Sequence, residues 1–349
     1  MGMAIQLGPF TLTNPFVLAP MAGITDSPFR RVMRKRRSAM VFSELISANG
    51  ISYSNKKSIQ FFRFHEEERP VGLQVFGENH ARLCQAAREV ERSGADFVDL
   101  NLGCPVPKVV RRGAGSAICL DLVLLDQVLN ALVHAVRIPV SIKIRTGWDA
   151  NFKNAKEVIR VAAEAGVSWV SVHGRTRAQG YSGVADWDYI AELKSASPIP
   201  LIGNGDLTTP ELALEKLKRS GVDAVMIGRG ALRNPFIFAQ AEALWRGESY
   251  SHPELQDYLQ LMQEHNEFLL AHLEPRKALL HFRRFVCWYT TGFPNCHEFR
   301  KKVFQILEPD QLWNEIRTYL EESYQQADGQ VPIYQREVPR KSFLMGGHG

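Results

Sequence analysis

One cysteine stands where α/β enzymes put reacting groups. The stretch Asp99-Leu100-Asn101-Leu102-Gly103-Cys104-Pro105 starts as a short buried strand and breaks into a turn. Gly103 tolerates positive φ, and Pro105 fixes its own φ and donates no hydrogen bond. A thiol on a loop just past the carboxyl end of a strand is available for proton or acyl chemistry. The plainer reading is a small apolar side chain filling the loop. Lys143 lies inside the run Ser141-Ile142-Lys143-Ile144-Arg145, where alternation turns it inward and a buried ammonium needs a partner. That partner is a structural acid, or a cofactor that becomes anionic, such as a reduced flavin. Gln74 and Asn101 each donate and accept through one amide, which suits the edge of a flavin or a pyrimidine as well as a core hydrogen bond. His173, with Arg175 two residues on, reads as a core histidine alone and as a site residue in this company. Asn204-Gly205-Asp206 and Gly228-Arg229-Gly230 let backbone N–H groups approach a phosphate, with Arg229 adding charge. Asn-Gly-Asp is also an ordinary turn.

The elements that must position these residues recur at βα spacing. Short apolar runs begin at Phe16, Met40, Gly72, Phe97, Val140, Trp169, Pro200 and Ala224, each followed by a helical pattern. The runs are mostly apolar on both faces, as parallel strands covered on both sides should be. Asp26-Ser27-Pro28 and Thr208-Thr209-Pro210-Glu211 carry helix-start signals, and Gly166 and Gly221 stand as C-terminal caps. Eight units in this length predict an α/β fold of the (β/α)8 TIM-barrel class; a doubly wound open sheet is the competing architecture. In a barrel the carboxyl ends of the strands share one mouth. That mouth then gathers Pro20, Met21, Ala22, Gln74, Asn101, Cys104, Lys143, Arg145, His173, Arg175, Asn204, Gly205, Asp206, Gly228 and Arg229. The loops after strands 7 and 8 are the usual phosphate site of such barrels. After Phe238 the alternation stops. Glu254–His272, Pro275–Thr291, Asn295–Leu307 and Asp310–Tyr324 read as helices. The expected division is a barrel over residues 1–250, a small all-helical C-terminal domain over 251–325 and a mobile tail over 326–349.

Composition narrows the function classes. The 349 residues are 45% hydrophobic, with 42 Lys and Arg against 37 acids and a net charge of +5. That is a mild basic excess, not the coat of a dedicated nucleic-acid packager. The five cysteines are irregularly spaced with no CxxC pair, so neither a metal site nor a disulfide framework is expected. No apolar run approaches membrane-spanning length and no basic leader opens the chain, so a cytoplasmic monomer is expected. Gly113-Ala114-Gly115-Ser116-Ala117-Ile118 is an incomplete dinucleotide fingerprint and there is no Walker loop. Basic residues gather on the first barrel helix (Arg30, Arg31, Arg34, Lys35, Arg36, Arg37) and on two C-terminal helices (Arg276, Lys277, Arg283, Arg284; Arg300, Lys301, Lys302). They are solvated helix faces, or phosphate contacts to a folded RNA.

Taken together, these motifs resemble the bacterial tRNA-dihydrouridine synthases, B-type branch. The matching blocks run in order: Ala19-Pro20-Met21-Ala22-Gly23, Ser43-Glu44-Leu45, Asn101-Leu102-Gly103-Cys104-Pro105, Lys143-Ile144-Arg145-Thr146-Gly147, His173-Gly174-Arg175-Thr176-Arg177, Gly203-Asn204-Gly205-Asp206 and Met226-Ile227-Gly228-Arg229-Gly230. The resemblance implies an FMN enzyme that reduces uridines of tRNA to 5,6-dihydrouridine with NADPH. Reduced flavin would give hydride to C6 of the uracil, and Cys104 would give a proton to C5. By the family pattern Pro20, Met21 and Ala22 pack against the flavin, and Gln74 and Lys143 bond its pyrimidine edge. Asn204, Gly205, Asp206, Gly228 and Arg229 hold ribityl and phosphate, and His173 lies beside them. Asn101, Arg145, Arg175, Arg283 and Arg284 are the expected substrate contacts. An FMN barrel acting on a small enone or dihydropyrimidine is the alternative that the barrel residues alone allow.

Overall fold

Eight of the ten strands carry apolar side chains outward and a graded set inward. The computed structural model describes residues 5–51 and 60–327. A two-stranded hairpin, β1 (Ile5–Leu7) and β2 (Phe10–Leu12), precedes the main sheet. The main sheet comprises β3 (Phe16–Leu18), β4 (Val41–Ser47), β5 (Val71–Phe76), β6 (Phe97–Leu102), β7 (Val140–Arg145), β8 (Trp169–His173), β9 (Leu201–Asn204) and β10 (Ala224–Ile227). These pair in parallel in the order β3-β10-β9-β8-β7-β6-β5-β4. Two backbone hydrogen bonds join the ends, Leu18 N–H to Met40 O at 3.0 Å and Ala39 N–H to Phe16 O at 2.9 Å. The result is a (β/α)8 barrel, with every expected strand present.

Helices cover the barrel: α1 (Ser27–Lys35), α2 (His80–Arg92), α3 (Leu122–Ala135), α4 (Ala155–Glu164), α5 (Trp187–Ala196), α6 (Pro210–Ser220) and α7 (Ile237–Trp245). The capping signals act as their chemistry demands. Asp26 accepts from Phe29 N–H, Thr209 accepts from Leu212 N–H, and Gly221 ends α6 at φ 67°. Four helices follow, α8 (Leu255–His272), α9 (Pro275–Tyr289), α10 (Cys296–Gln305) and α11 (Pro309–Gln326). The breaks fall at Pro275, around Gly292-Phe293-Pro294 and at Pro309, where proline ends one helix or starts the next. The expected tail lies, beyond Ala327, outside the described residues.

The interior departs from a sheet that is apolar on both faces. Outward residues such as Leu73, Leu100, Ile142 and Val170 are buried under the helices. Inward residues change with height. At the floor Phe42, Phe97 and Trp169 pack with Val17, Ile202, Ala224 and Met226. Asp99, Ser141, Gln74 and Ser171 form a buried polar layer above them. Asn101, Lys143, Arg145, His173 and Asn204 stand at the top. Strand register makes the layers: Gln74 pairs with Asp99, Asp99 with Ser141 and Asn101 with Lys143.

The N-terminal hairpin, with its three-residue strands, goes beyond the elements expected from the pattern. It closes the floor. Leu7 and Leu12 are buried there, and the Phe10 ring lies 5.8 Å from Phe97 and 6.0 Å from Trp169, which are themselves 4.9 Å apart. Such tilted aromatic pairs add about 0.5–1.5 kcal/mol each beyond their buried area.

The floor fits only because β5 carries a glycine. A Cβ on Gly72 would lie 1.9 Å from Cε2 of Phe97. Gly72→Ala should therefore destabilise the protein by about 2–3 kcal/mol, the cost of overpacking a tight core. Phe97→Leu in the same chain should recover part of the loss. Urea midpoints of the single and double variants check this; equal midpoints for Gly72→Ala and wild type would show that the ring gives way freely.

Candidate active site

The turn after β6 is held at each successive peptide. Asn101, one residue before the end of β6, turns its side chain along the following turn. Its Oδ1 accepts from Gly103 N–H at 3.2 Å and from Cys104 N–H at 2.9 Å. Arg145 Nε donates to Gly103 O at 2.8 Å, and Ser116 Oγ donates to Cys104 O at 2.9 Å. Gly115, at φ 60°, passes so close that a Cβ there would lie 3.1 Å from the same carbonyl oxygen. Cys104 is half-buried on this braced turn. Burial pushes its thiol above the ordinary value, against the opposite pull of the Val106 backbone and Arg145. It therefore carries its proton at neutral pH.

Lys143 stands one strand away. Its Nζ donates to Asn204 Oδ1 at 3.2 Å, and Asn204 Nδ2 donates to Met226 O at 2.6 Å. Burial, then the neighbouring Arg145 charge, push Lys143 down to about 8, while Asp99 pulls the other way. Asp99, in the layer beneath, accepts from Gln74 Nε2 and from Ser141 Oγ, both at 2.6 Å. Burial raises it to about 6 in spite of those bonds. Gln74 Oε1 in turn accepts from Asn101 Nδ2 at 2.9 Å. Asp99, Gln74, Asn101 and the Cys104 turn thus form one bonded chain, with the Lys143–Asn204 pair beside it.

A second group lies on the β8 and β9 side. Arg175 is 1% exposed, and its Nη2 donates to both Asp206 oxygens at 2.9 and 2.8 Å and to Gly183 O at 2.7 Å. Arg229 comes within 3.9 Å of the same carboxylate. His173 faces Arg175 Nη1 across 3.4 Å. A guanidinium only donates, so Nε2 of His173 is the accepting nitrogen. Burial and the charges of Lys143, Arg145, Arg175 and Arg229 hold this histidine neutral, well below its usual range. Tyr181 lies over two of those cations, 5.7 Å from Arg145 and 4.8 Å from Arg229. Arg145 ties the two groups together, donating to Thr176 O at 2.9 Å and Gly180 O at 2.7 Å.

Pro20 and Met21 are half-buried at the rim and Ala22 is exposed. Met21 lies close to β10: a Cβ on Gly228 would be 3.6 Å from its Sδ. Gly205, at φ 135°, faces His173 and Ala185, where no Cβ would fit.

The basic residues are placed differently from the surface faces expected of them. Arg30 bonds the buried Glu68 at 2.6 Å, and Arg31 lies 3.7 Å over the Phe268 ring. Arg34 donates to the carbonyls of Ser38 and Arg69. Arg36 pairs with Glu264 and Arg37 with Glu242, at 2.9 and 2.8 Å. The first barrel helix and the turn after it are therefore tied to the barrel through Arg30, Arg34 and Arg37, and to α8 through Arg31 and Arg36. Arg283 is also internal, donating to Phe304 O and Ile306 O at the end of α10, which neutralises orphan carbonyls there. Arg284 is half-buried beside His281, at 3.2 Å. Arg276, Lys277, Lys301 and Lys302 are exposed.

Two acids escape sequence reasoning. Asp99 sat inside the quoted motif without a role, since a strand acid reads equally as surface or core. Glu44 is half-buried on β4, and burial, then Asp26, raise it to about 7, against Arg30, His281 and Arg284. Its charged neighbours come from α1 and α9, far along the chain, so no local pattern announces it.

The family model described as dihydrouridine synthase (Dus) matches residues 17–326. The chain is 36% identical over 326 residues to a tRNA-dihydrouridine synthase B of Pseudomonas aeruginosa, covering 93% of this chain and 98% of that one. To the protein of the same name from Pseudomonas putida it is 38% identical over 332 residues, covering 94% and 98%. Among solved structures, the barrel is shared with histamine dehydrogenase from Rhizobium sp. 4-9 (TM-score 0.56, 11% identity, 70% of this chain and 47% of that one). It is also shared with TcOYE solved with pHBA (TM-score 0.55, 14% identity, 73% and 95%). At these identities the structural likeness shows the fold alone.

The buried ammonium has a stability signature. Lys143 titrates at about 8 when folded, against 10.5 for the ordinary side chain. Between those values the unfolded chain binds more protons, so the folded state gains stability as pH rises. Lys143→Met should be more stable than wild type at pH 7, and the gap should narrow by about 1–3 kcal/mol at pH 9.5. Denaturant titrations at the two pH values measure it; a constant gap would mean the ammonium is not desolvated.

Proposed function

The chain belongs to the dihydrouridine synthase family, and we propose that it reduces uridines of tRNA to 5,6-dihydrouridine, holding FMN and taking electrons from NADPH. The observation that carries this reading is the charge at the mouth. Lys143, Arg145, Arg175 and Arg229 all act on His173, with Asp206 as the acid bonded among them and Asp99 a layer below. A ligand with a phosphate and a ring that accumulates negative charge supplies what this donor set lacks, so the residues present fit FMN.

In this reading Met21, Pro20 and Ala22 form the apolar rim for the ring, with Gln74 and Lys143 at its polar edge. Asn204, Gly205, Asp206, Gly228, Arg229 and His173 hold ribityl and phosphate. When bound, FMN supplies the hydride that adds to C6 of the uracil. Cys104 supplies the proton that C5 then requires, from a turn whose backbone is braced by Asn101 and Ser116. A thiol that stays protonated at neutral pH is suited to that task as a general acid. Lys143, kept near its titration point by burial, answers negative charge arriving beside it by holding its proton more tightly. Arg145 and Arg175 act through the loops they brace.

The uridine must leave its stack to reach the barrel mouth, as bases do in other base-modifying enzymes. The helical region, residues 251–325, is proposed as the tRNA-binding domain beside the catalytic barrel of residues 1–250. Its contacts are assigned to Arg276, Lys277, Arg284, Arg300, Lys301 and Lys302, the lysines and arginines on α9 and α10 that remain in or near solvent. Exposed pairs such as Lys302 with Glu315 at 3.1 Å hold such side chains weakly and release them to phosphate at little cost. Work as a monomer in the cytoplasm belongs to the same proposal.

Cys104→Ala should keep flavin at wild-type stoichiometry and lose about 100-fold or more in uridine reduction, measured as dihydrouridine in digested tRNA. Equal product formation would remove the acid role; a protein that takes up no FMN would remove the whole reading. Affinity for tRNA should fall steeply with salt, and replacing Lys301 and Lys302 together by Ala should flatten the log–log slope by about 1–2. A slope unchanged by that substitution would place the docking face elsewhere.

A further inference from the structure

The bonds beneath the Cys104 turn run in one direction, and their direction is forced from both ends. At one end is Asp99, which remains ionised at neutral pH although burial raises it to about 6. An ionised carboxylate only accepts. Gln74 must therefore turn its NH2 to Asp99, at 2.6 Å, and its oxygen to Asn101. Asn101 must then turn its NH2 to Gln74, at 2.9 Å, and its oxygen to the turn. At the other end are two backbone N–H groups, of Gly103 and Cys104, which only donate. An acceptor at one end and donors at the other leave the two amides a single consistent orientation. Reversing either amide would set NH2 against N–H, or oxygen against carboxylate.

We propose that Asp99 is a positioning residue for Cys104, the acceptor that anchors the far end of an amide relay through Gln74 and Asn101 that holds the thiol-bearing turn. The proposal rests on Cys104 being the acid of the reaction. Asp99 touches neither the thiol nor the mouth. It is fully buried, one layer below, between Gln74 on β5 and Ser141 on β7. Ser141 matters because a hydroxyl can accept as well as donate. It gives the relay a way to tolerate an amide at residue 99, but no way to tolerate an apolar side chain.

That asymmetry is the test. In Asp99→Asn the new oxygen accepts from Gln74, and the new NH2 is taken up by a rotated Ser141 hydroxyl. In Asp99→Leu the acceptor is gone and Gln74 is released. Single-turnover kinetics separate the half-reactions. Asp99→Leu should reduce uridine about 10- to 100-fold more slowly, as expected for a misplaced reacting group. Its flavin content and its reduction by NADPH should fall far less than its uridine reduction, because Lys143, Asn204 and Arg229 remain to hold the flavin. Asp99→Asn should stay within about threefold in both half-reactions. Alkylation of Cys104 by iodoacetamide, read by peptide mass spectrometry, should quicken in Asp99→Leu and not in Asp99→Asn.

The alkylation rate is independent of turnover, so it judges the relay even if Cys104→Ala proves active and the acid role fails. A second pair guards against misfolding of the leucine variant. Ser141→Ala alone should behave as wild type. Added to Asp99→Asn, it strips the new NH2 of its only acceptor, loosens the hold on Gln74 and should slow uridine reduction about tenfold beyond Asp99→Asn. Three results would overturn the proposal. The first is Asp99→Leu matching wild type in both uridine reduction and alkylation. The second is Asp99→Asn failing as badly as Asp99→Leu, which would make Asp99 a mere counter-charge for Lys143. The third is no loss on adding Ser141→Ala to Asp99→Asn.

Discussion

A parallel sheet closed on itself turns every second side chain into a space it must fill completely. That constraint governs this molecule. The floor is filled by rings, with Phe10 of the hairpin, Phe42, Phe97 and Trp169 edge to face. The space above is filled by hydrogen-bonded polar groups and the mouth by charge. Because the side-chain period of a strand is two, residues 97, 99 and 101 of one strand take part in three different kinds of chemistry. The aromatic layer stops water from below, and the layer above it converts that dry base into directed polarity.

Placing Lys143 and Asp99 so close to the core is unfavourable for stability. Burial lowers the one to about 8 and raises the other to about 6, so each charged form is held at a disadvantage. Hydrogen bonds from Gln74 and Ser141, and the mutual attraction of the pair, offset only part of it. His173 is the counterpart. Surrounded by four cations, it stays neutral and keeps a lone pair for Arg175. Desolvated charge gathered at one end of the barrel, with well-packed apolar layers around it, is the pattern on which the proposed site rests.

Much of this was legible in the chain. The eight strands and four terminal helices announced themselves because their signals are local: apolar runs, caps and prolines. The residues of the mouth were legible as a set, because a barrel converts strand ends into neighbours. What stayed hidden was pairing over distance. Arg30 and Arg34 read as a basic face, yet Glu68 and the carbonyls of Ser38 and Arg69 engage them. Arg37 reads as solvent-seeking, yet Glu242 lies more than two hundred residues away in sequence. Arg283 looks like its neighbour Arg284, but one helical step of rotation sends it to the end of α10 and leaves the other near solvent. The floor hairpin gave little warning because three-residue strands carry almost no periodicity.

The first barrel helix has a mechanical consequence. Its cap, Asp26, follows directly on the Met21–Thr25 turn of the rim and lies 3.7 Å from His281 of α9. Its other end is gripped by Glu264 and Glu242, and Phe29 in between stacks on Phe285 at 5.2 Å. One short helix therefore serves two neighbours at once: the rim of the mouth rests on its first turn, and α8 and α9 lean on its flank and far end.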